Sequence, residues 1–494
     1  MSPAQPPSAS SPAPSVPTPP ATAAPVVSYR RGPSSISTET AAAVDSVAVM
    51  GSAAAPQAVP GTRLTSLDAY RGFVMLAMAS SGFMVARVLK NHPGLIVDPA
   101  QATGLTALSN WLWSGLAYQL DHVAWGGCAF WDLIQPSFMF MVGVALPFSA
   151  ARRQAEGQSA ARRWGHVLLR SCMLIALGVF LSSNGAQQTR FTYVNVLTQI
   201  GLGYPLLYLL VNRSNAVRFV VAIGVLIGYA AWFGTYQMPA AEAAQVRQYV
   251  TEVKKLPATE FDQYPGWASH WNKHTNPAAA FDRWLLNQTP SEEPLWNGRR
   301  FWINAGGYQT LNFVPSFVTM LFGLMTGSLL RGPRSLGAKF RRLLWTGALC
   351  LAVGLAVDPT MWPVQIAGAD WNYCPIVKRI WTPSWAVFST GWTLWMLAGF
   401  FGVIEIWGWK KWAFPFVVVG MNSIAMYCFA QLLTGWIRAT WKTHLTTLDQ
   451  MLGTFSVPWL YDSWVGPILL QCLVLATMWL FCYVMYRQKI FIRL

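Results

Sequence analysis

Ten runs of apolar residues, most of them close to 20 residues long, recur along this chain. They fall at about 67–89, 129–150, 164–182, 194–211, 217–236, 311–330, 343–357, 384–406, 412–435 and 465–486. A helix rises 1.5 Å per residue, so about 20 apolar residues cross the ~30 Å hydrocarbon core of a bilayer. Within lipid every backbone N–H and C=O must be satisfied internally, which such runs achieve as helices. The composition agrees, with 11% charged residues where a soluble domain carries about 25%. The runs therefore predict an all-α polytopic membrane protein of about ten transmembrane helices, and they exclude a soluble enzyme, a disordered chain and a coiled coil.

The net charge of +16 does not point to nucleic acid, because the basic residues lie mostly in short loops between apolar runs. Their distribution predicts orientation. Segments 151–163, 211–218, 331–342, 407–411 and 487–494 hold 16 Lys or Arg in 46 residues, and the alternate segments hold 14 in 182. By the positive-inside rule both termini are expected in the cytoplasm of a bacterial-type inner membrane. Residues 1–60, nearly all Ala, Pro, Ser and other small residues, are expected to be a disordered tail, with 61–494 forming the membrane domain. The connections at about 90–128 and 237–310 would supply most of the external surface. The second carries Trp267, Trp271, Trp284, Trp296 and Trp302 beside Asp262, Asp282, Glu292 and Glu293. That mixture suits either a sugar-like ligand or an aromatic belt at the lipid interface.

The seven Cys form no CxxC or Cys/His arrangement, so no metal site is expected. Cys128 and Cys374 fall at external helix ends and are a candidate disulfide pair. The chain has no Walker motif, HExxH, Gly-x-Ser-x-Gly or dinucleotide fingerprint.

The most informative stretch runs from Asp121 to Gly143, where a polar, Gly-rich segment leads into the second apolar run. His122 would sit at the outer mouth of the helix bundle, and Asp132 lies a few residues deeper, on a helix with no further charge until Arg152. Ionisable groups inside membrane helices are costly and face a cavity or a partner. A His near a helix mouth suits general base or nucleophilic catalysis, because its ordinary pKa is about 6.5. The bland readings are that His122 bonds to a loop and that Asp132 binds backbone amides or an Arg such as Arg71.

His122, Trp125, Gly127, Asp132, Pro136, Phe138, Phe140 and Gly143 match in type and spacing a motif of the heparan-α-glucosaminide N-acetyltransferase family and its bacterial relatives. The stretch Arg63 to Gly72 is similar to the family's opening motif. Val196 to Tyr204, Trp381-Thr-Pro383-Ser384 and Gly420-Met421-Asn422 resemble later ones, in the same order. The resemblance covers roughly residues 62–435 and implies a transmembrane acyltransferase fold. It further implies that His122 is catalytic, with Asp132 orienting or charge-balancing it, and that an acetyl group moves from cytoplasmic acetyl-CoA to an extracytoplasmic amino sugar or glycan. Asp68 and Arg71, at the start of the first helix, would position that helix or a CoA phosphate. Asn422, read as mid-helix, would line the cavity or bridge two helices. Two positions depart from the family: Ser80-Ser81-Gly82 stands where an Asn is expected, and Thr198-Gln199-Ile200 where the pattern has Gln-Arg-Ile.

A different class of function fits the same intramembrane polar residues. A transporter or ligand-binding membrane protein with the same fold would also use Asp132, Asn422 and Gln199, although the sequence shows no internal repeat. Expected partners are membrane lipid, acyl-CoA and a glycan acceptor, with no nucleic acid. A homodimer through a membrane helix is compatible with the sequence, which offers no strong small-xxx-small face to assign it to.

Overall fold

In a computed structural model of the chain, residues 64–98, 100–290, 292, 295–301, 303–361, 366, 371–453 and 463–492 are described. The expected tail at 1–60, together with Glu293 and Trp302, lies outside them. Among the described residues the chain is all-helical, and its extended pairing amounts to two isolated bridges, Gly126 with Val377 and Trp296 with Arg299.

Each predicted apolar run falls on a helix, but they do not all span alike. Among the described residues, eight helices are long and apolar enough to cross a membrane: Thr65–Asn91, Phe130–Ala155, Ala160–Ser182, Asn215–Thr235, Thr310–Arg331, Leu336–Val357, Pro383–Ile406 and Val465–Arg487. A ninth is a broken pair, Lys411–Met421 and Ser423–Leu432, bent by 72°. The run predicted at 194–211 forms only Val196–Leu209, 14 residues. At 1.5 Å per residue it reaches about 21 Å, short of the hydrocarbon thickness.

The helices used below are α1 (Thr65–Ala79), α2 (Val85–Asn91), α3 (Gly104–Gln119), α4 (Ile134–Ala155), α5 (Ala160–Ser182), α6 (Val196–Leu209), α7 (Asn215–Thr235), α8 (Ala240–Glu252), α9 (Pro277–Leu286), α10 (Phe313–Arg331), α11 (Leu336–Val357), α12 (Pro383–Phe401), α13 (Phe414–Met421), α14 (Ser423–Leu432), α15 (Thr434–Leu452) and α16 (Val465–Arg487).

Glycines set the closest helix pairs. A Cβ on Gly143 of α4 would lie 1.9 Å from the Met320 carbonyl oxygen of α10, and one on Gly323 2.1 Å from that of Phe140. Gly327 meets Val144 in the same way, so Gly323-xxx-Gly327 is a small-residue face, used inside the chain to bring α10 onto α4. The sequence reading overlooked it. Gly72 on α1 and Gly420 on α13 do the same for a second pair, with the Phe416 and Asp68 carbonyl oxygens 1.7 and 1.9 Å from where their Cβ atoms would be. Two of the motifs noted above, Arg71-Gly72 and Gly420-Met421-Asn422, thus meet in space.

The long connections are more ordered than loops. Segment 90–128 contains α3, whose Leu105, Leu108, Leu112 and Leu116 point outward and exposed, while Asn110 exchanges two hydrogen bonds with the Val97 backbone. Segment 237–310 folds into α8, α9 and short 3-10 turns around a small core of Val246, Tyr249, Val250, Phe261 and Ile303. Residues 436–452, beyond the end of the predicted run 412–435, are helical as part of α15. Apolar content per window detects spans but not short helices that owe their stability to packing.

Candidate active site

The site is assembled where the turn before α4 meets the turn before α12. Asp132 lies in the 3-10 turn Phe130–Leu133 that opens α4. Such a position favours a carboxylate, because helix N-termini present unpaired N–H groups and a partial positive charge. Asp132 Oδ2 accepts the backbone N–H of Ala129 at 3.2 Å and of Val123 at 3.3 Å. The first bond closes the helix start. The second folds segment 121–129 back over it, bringing His122 round to its partner ten residues on.

His122 Nδ1 lies 2.7 Å from Asp132 Oδ1. The His122 side chain is 39% exposed and that of Asp132 1%, so a buried carboxylate orients a ring whose other nitrogen, Nε2, is the one left for a reacting molecule. The backbone N–H of His122 donates to Asp121 Oδ1 at 2.7 Å, and the Trp131 ring stands 6.5 Å from the imidazole.

A third ionisable group completes the cluster. Lys378 Nζ is 3.2 Å from Asp132 Oδ1 and 3.2 Å from His122 Nδ1, and its side chain is 4% exposed. Neither bland reading of Asp132 excludes the other, since it binds backbone amides and a cation together. The cation is Lys378 rather than Arg71.

The Trp381-Thr-Pro383-Ser384 motif places that lysine. Thr382 is the N-cap of α12, its Oγ1 accepting the Trp385 N–H at 3.2 Å, and Pro383 takes the first helical position, where a missing N–H costs nothing. The Val377 N–H also donates to Thr382 Oγ1, at 3.1 Å, and Trp381 N–H closes a turn on the Lys378 carbonyl at 2.9 Å. Trp381 sits at φ 48° and its Nε1 donates to Thr319 of α10 at 3.3 Å. The Gly127 N–H donates to the Ile376 carbonyl at 3.0 Å, and Gly127 holds φ 109°, a conformation that favours glycine.

Arg379 ties a third segment to the site. Its guanidinium donates to the Gly306 carbonyl at 2.8 Å and the Val123 carbonyl at 3.1 Å, and lies 5.6 Å from the centre of the Tyr308 ring. Trp125, in the His122 motif, is buried, and its Nε1 donates to the Trp271 carbonyl at 3.2 Å. The motif therefore fastens the 237–310 region to the site.

Other residues singled out from the sequence lie elsewhere. Asp68 and Arg71 pair with each other at 3.8 Å on α1. Asn422 is not mid-helix but at the break between α13 and α14, its Nδ2 donating to the Ile490 carbonyl at 3.0 Å and its Oδ1 accepting the Ile492 N–H at 3.2 Å. Neither group is part of the His122 cluster. Gln199 is fully buried and donates to the carbonyls of Tyr193 at 2.6 Å and Thr310 at 3.0 Å. Gly82 holds φ 60°, and a Cβ there would fall 2.3 Å from the Leu120 carbonyl oxygen, so this divergent position has no room for a side chain.

Of the tryptophans in segment 237–310, Trp271 is buried and stacks on Phe233 at 4.6 Å, Trp296 packs on Tyr249 and Phe301, and Trp267 and Trp284 are exposed. Asp282 is buried and its Oδ2 accepts the Thr310 N–H at 2.9 Å. Glu292 bonds Arg190 at 2.8 Å, and Asp262 lies 3.4 Å from Arg247. These side chains work mainly within the protein. Cys128 and Cys374 are both free thiols rather than a disulfide; Cys374 Sγ accepts from Ser384 Oγ at 3.5 Å.

Two comparisons with known proteins bear on this site. The family described as "Heparan-alpha-glucosaminide N-acetyltransferase, catalytic" matches residues 111–248, a stretch that contains both His122 and Asp132. The human protein named heparan-alpha-glucosaminide N-acetyltransferase is 22% identical over 467 residues, covering 87% of this chain and 59% of its own length. The mouse protein of the same name is 22% identical over 419 residues, covering 76% of this chain and 57% of its own. The chain thus spans just under three fifths of the length of these curated relatives. Both comparisons support, at the level of the family, the resemblance carried by the motifs.

Proposed function

We propose that this chain is a membrane-embedded acyltransferase that moves an acetyl group from acetyl-CoA to the amine or hydroxyl of an amino sugar or glycan, with His122 as its catalytic residue. The observation that carries the reading is the 2.7 Å contact between His122 Nδ1 and the buried Asp132 carboxylate. A carboxylate behind an exposed imidazole selects the tautomer with its lone pair on Nε2, the arrangement a general base or nucleophile needs. The similarity to the human and mouse N-acetyltransferases over the His122 region supports the choice of acyl transfer over other uses of such a pair.

In the direct route, His122 Nε2 takes the acceptor's proton as its nitrogen or oxygen attacks the thioester carbonyl. The C–S bond then breaks, and the imidazolium returns the proton to the CoA thiolate. In the two-step route, Nε2 attacks the thioester carbonyl and the C–S bond breaks to release the CoA thiolate; the acceptor then takes the acetyl group from Nε2 and its proton passes to the thiolate. Asp132 has the same task in both, holding the ring and stabilising the positive charge it gains.

The charge asymmetry supports cytoplasmic termini and an approach of anionic CoA from the Arg-rich side of an inner membrane, with the acceptor on the side of the His122 loop. Arg71 is the cation on α1 that suits a CoA phosphate. In this reading Asp68 and Asn422 contribute by holding α1 and the α13–α14 break in place.

Purified protein in detergent, given acetyl-CoA and a panel of amino sugars, should release free CoA in an acceptor-dependent manner. His122→Ala should abolish that release while leaving thermal stability within a few degrees of wild type. No release from well-folded wild type with any acceptor, combined with saturable amino-sugar binding, would overturn the reading in favour of a binding or transport protein.

A further inference from the structure

The ring nitrogen that faces Asp132 also faces a cation. Lys378 Nζ lies 3.2 Å from His122 Nδ1 and 3.2 Å from Asp132 Oδ1, while Nδ1 is 2.7 Å from that same oxygen. Proton inventory limits how three such groups can meet. An ammonium has donors only, an ionised carboxylate acceptors only, and a neutral imidazole one of each. The carboxylate of Asp132 faces four donors: the Val123 and Ala129 amides, Lys378, and Nδ1–H of His122. Were Lys378 to donate to Nδ1 instead, the shortest contact of the cluster would set two acceptors against each other. The distances therefore select the arrangement in which Nδ1 carries the proton and Lys378 donates to Asp132.

Charge leads to the same arrangement. A carboxylate as buried as Asp132 needs an opposite charge in contact. With His122 as its sole partner, the carboxylate would favour a second proton on the ring, since a nearby opposite charge stabilises the charged form. Lys378 supplies that charge, so the cluster is neutral while the imidazole is neutral.

The other ionisable groups around the cluster are differently engaged. Asp121 accepts the His122 backbone N–H, and Arg379 is turned to the Gly306 and Val123 carbonyls. Burial pushes the Cys128 thiol well up and the Tyr118 phenol up to about 12, so both stay uncharged. Tyr308 offers its ring face 6.0 Å from Lys378 Nζ.

We propose that Lys378 is a positioning residue: its ammonium balances Asp132 so that His122 stays neutral, protonated on Nδ1 and with Nε2 open to the reacting groups. The proposal deepens the acyltransfer reading and rests on it for its meaning, but it can be tested without turnover.

Diethyl pyrocarbonate acylates neutral imidazole, and mass spectrometry of the peptide bearing His122 follows its modification between pH 5 and 9 in the full-length protein in detergent. Lys378→Met should move the pH midpoint of His122 modification upward by about one unit, roughly a tenfold slower reaction at a pH below both midpoints. Lys378→Arg should keep the wild-type midpoint. Asp132→Asn alone leaves Lys378 facing the ring and should lower the midpoint; adding Lys378→Met should bring it back toward about 6.5. The last comparison also covers the case in which Lys378→Met alone does not fold. An unchanged midpoint in Lys378→Met, or between Asp132→Asn and the double variant, overturns the proposal. Absence of CoA release would instead overturn acyl transfer and leave the titration readable.

Discussion

Asp132 and Lys378 are 246 positions apart in the chain, yet Lys378 Nζ donates to Asp132 Oδ1 at 3.2 Å with both side chains almost fully buried. The pair joins the start of α4 to the turn before α12. Taking one partner away leaves the other as an unpaired buried charge, which typically costs 3–5 kcal/mol, whereas replacing both with neutral groups of similar size is close to neutral. Asp132→Asn or Lys378→Met should therefore each destabilise the protein by about 3 kcal/mol. The double variant should lose clearly less than the sum of the two. Chemical unfolding in detergent gives the cycle, and strictly additive losses would show that the two charges are not coupled.

The α4–α10 contact depends on residues with no side chain. A methyl on Gly143 would have to sit 1.9 Å from a backbone oxygen of α10, so Gly143→Ala must push the helices apart. Overpacking of this kind costs about 1–3 kcal/mol. Gly224 on α7 has nothing within 4 Å of its would-be Cβ, and Gly224→Ala should be neutral or slightly stabilising. Thermal unfolding of the two variants side by side tests the contrast; equal melting points would contradict it.

The region between α7 and α10 buries two groups whose protonation responds to pH in opposite senses. Burial raises the Asp282 carboxyl from 3.8 to about 7, and burial, with Lys273 and Arg283 adding to it, lowers the His274 imidazole from 6.5 to about 3. The stability contributed by Asp282 is fully present below about 4 and is lost as pH rises through about 7; that of His274 is present above about 6.5 and is lost as pH falls toward 3. Between pH 6.5 and 8 the loss from Asp282 outweighs the small remaining gain from His274, so this region should open more readily at pH 8 than at 6.5. Hydrogen exchange of residues 268–286, corrected for the intrinsic pH dependence, should show this slope in wild type and lose it in Asp282→Asn. A slope that survives the substitution would assign it to another group.

Asn422 fastens the C-terminal segment to the break between α13 and α14 through two backbone bonds. Asn422→Ala should free residues 488–492 and open the bond after Lys489 to trypsin, at a stability cost of about 1–3 kcal/mol for the polar groups left unpaired. If cleavage is unchanged while CoA binding weakens, Asn422 contacts the CoA rather than the chain end.

How legible the molecule was in its sequence depended on how local the cause was. Apolar run length located all ten helical segments, because each helix closes its own hydrogen bonds. The 14-residue limit of α6 and the 72° bend at Asn422 escaped that reading, since a window of apolar residues is blind to where packing ends or breaks a helix. Helices α3, α8, α9 and α15 lie outside the apolar runs for a related reason: they are short or only moderately apolar.

The candidate site divides along the same line. His122 and Asp132 stand ten residues apart on either side of a helix start; the family resemblance implies that the one serves the other, whereas spacing alone leaves the bland readings of both open, and a carboxylate in the first turn of a helix has a local reason to be there. Lys378 had no such signal beyond being a lysine in a cation-poor segment next to a Trp-Thr-Pro-Ser turn. Asp68, Arg71 and Asn422 also lie in stretches that resemble family motifs, yet Asp68 pairs with Arg71 and Asn422 bonds the 490–492 backbone. The helical membrane architecture, and the placing of a His and an Asp ten residues apart about a helix start, follow from the sequence, because each rests on interactions within about 20 residues. Tertiary structure alone decided which cation balances that pair, because the close approach of α4, α10 and α12 sets which turns meet, and a charge buried at their junction is stable only where packing delivers its opposite.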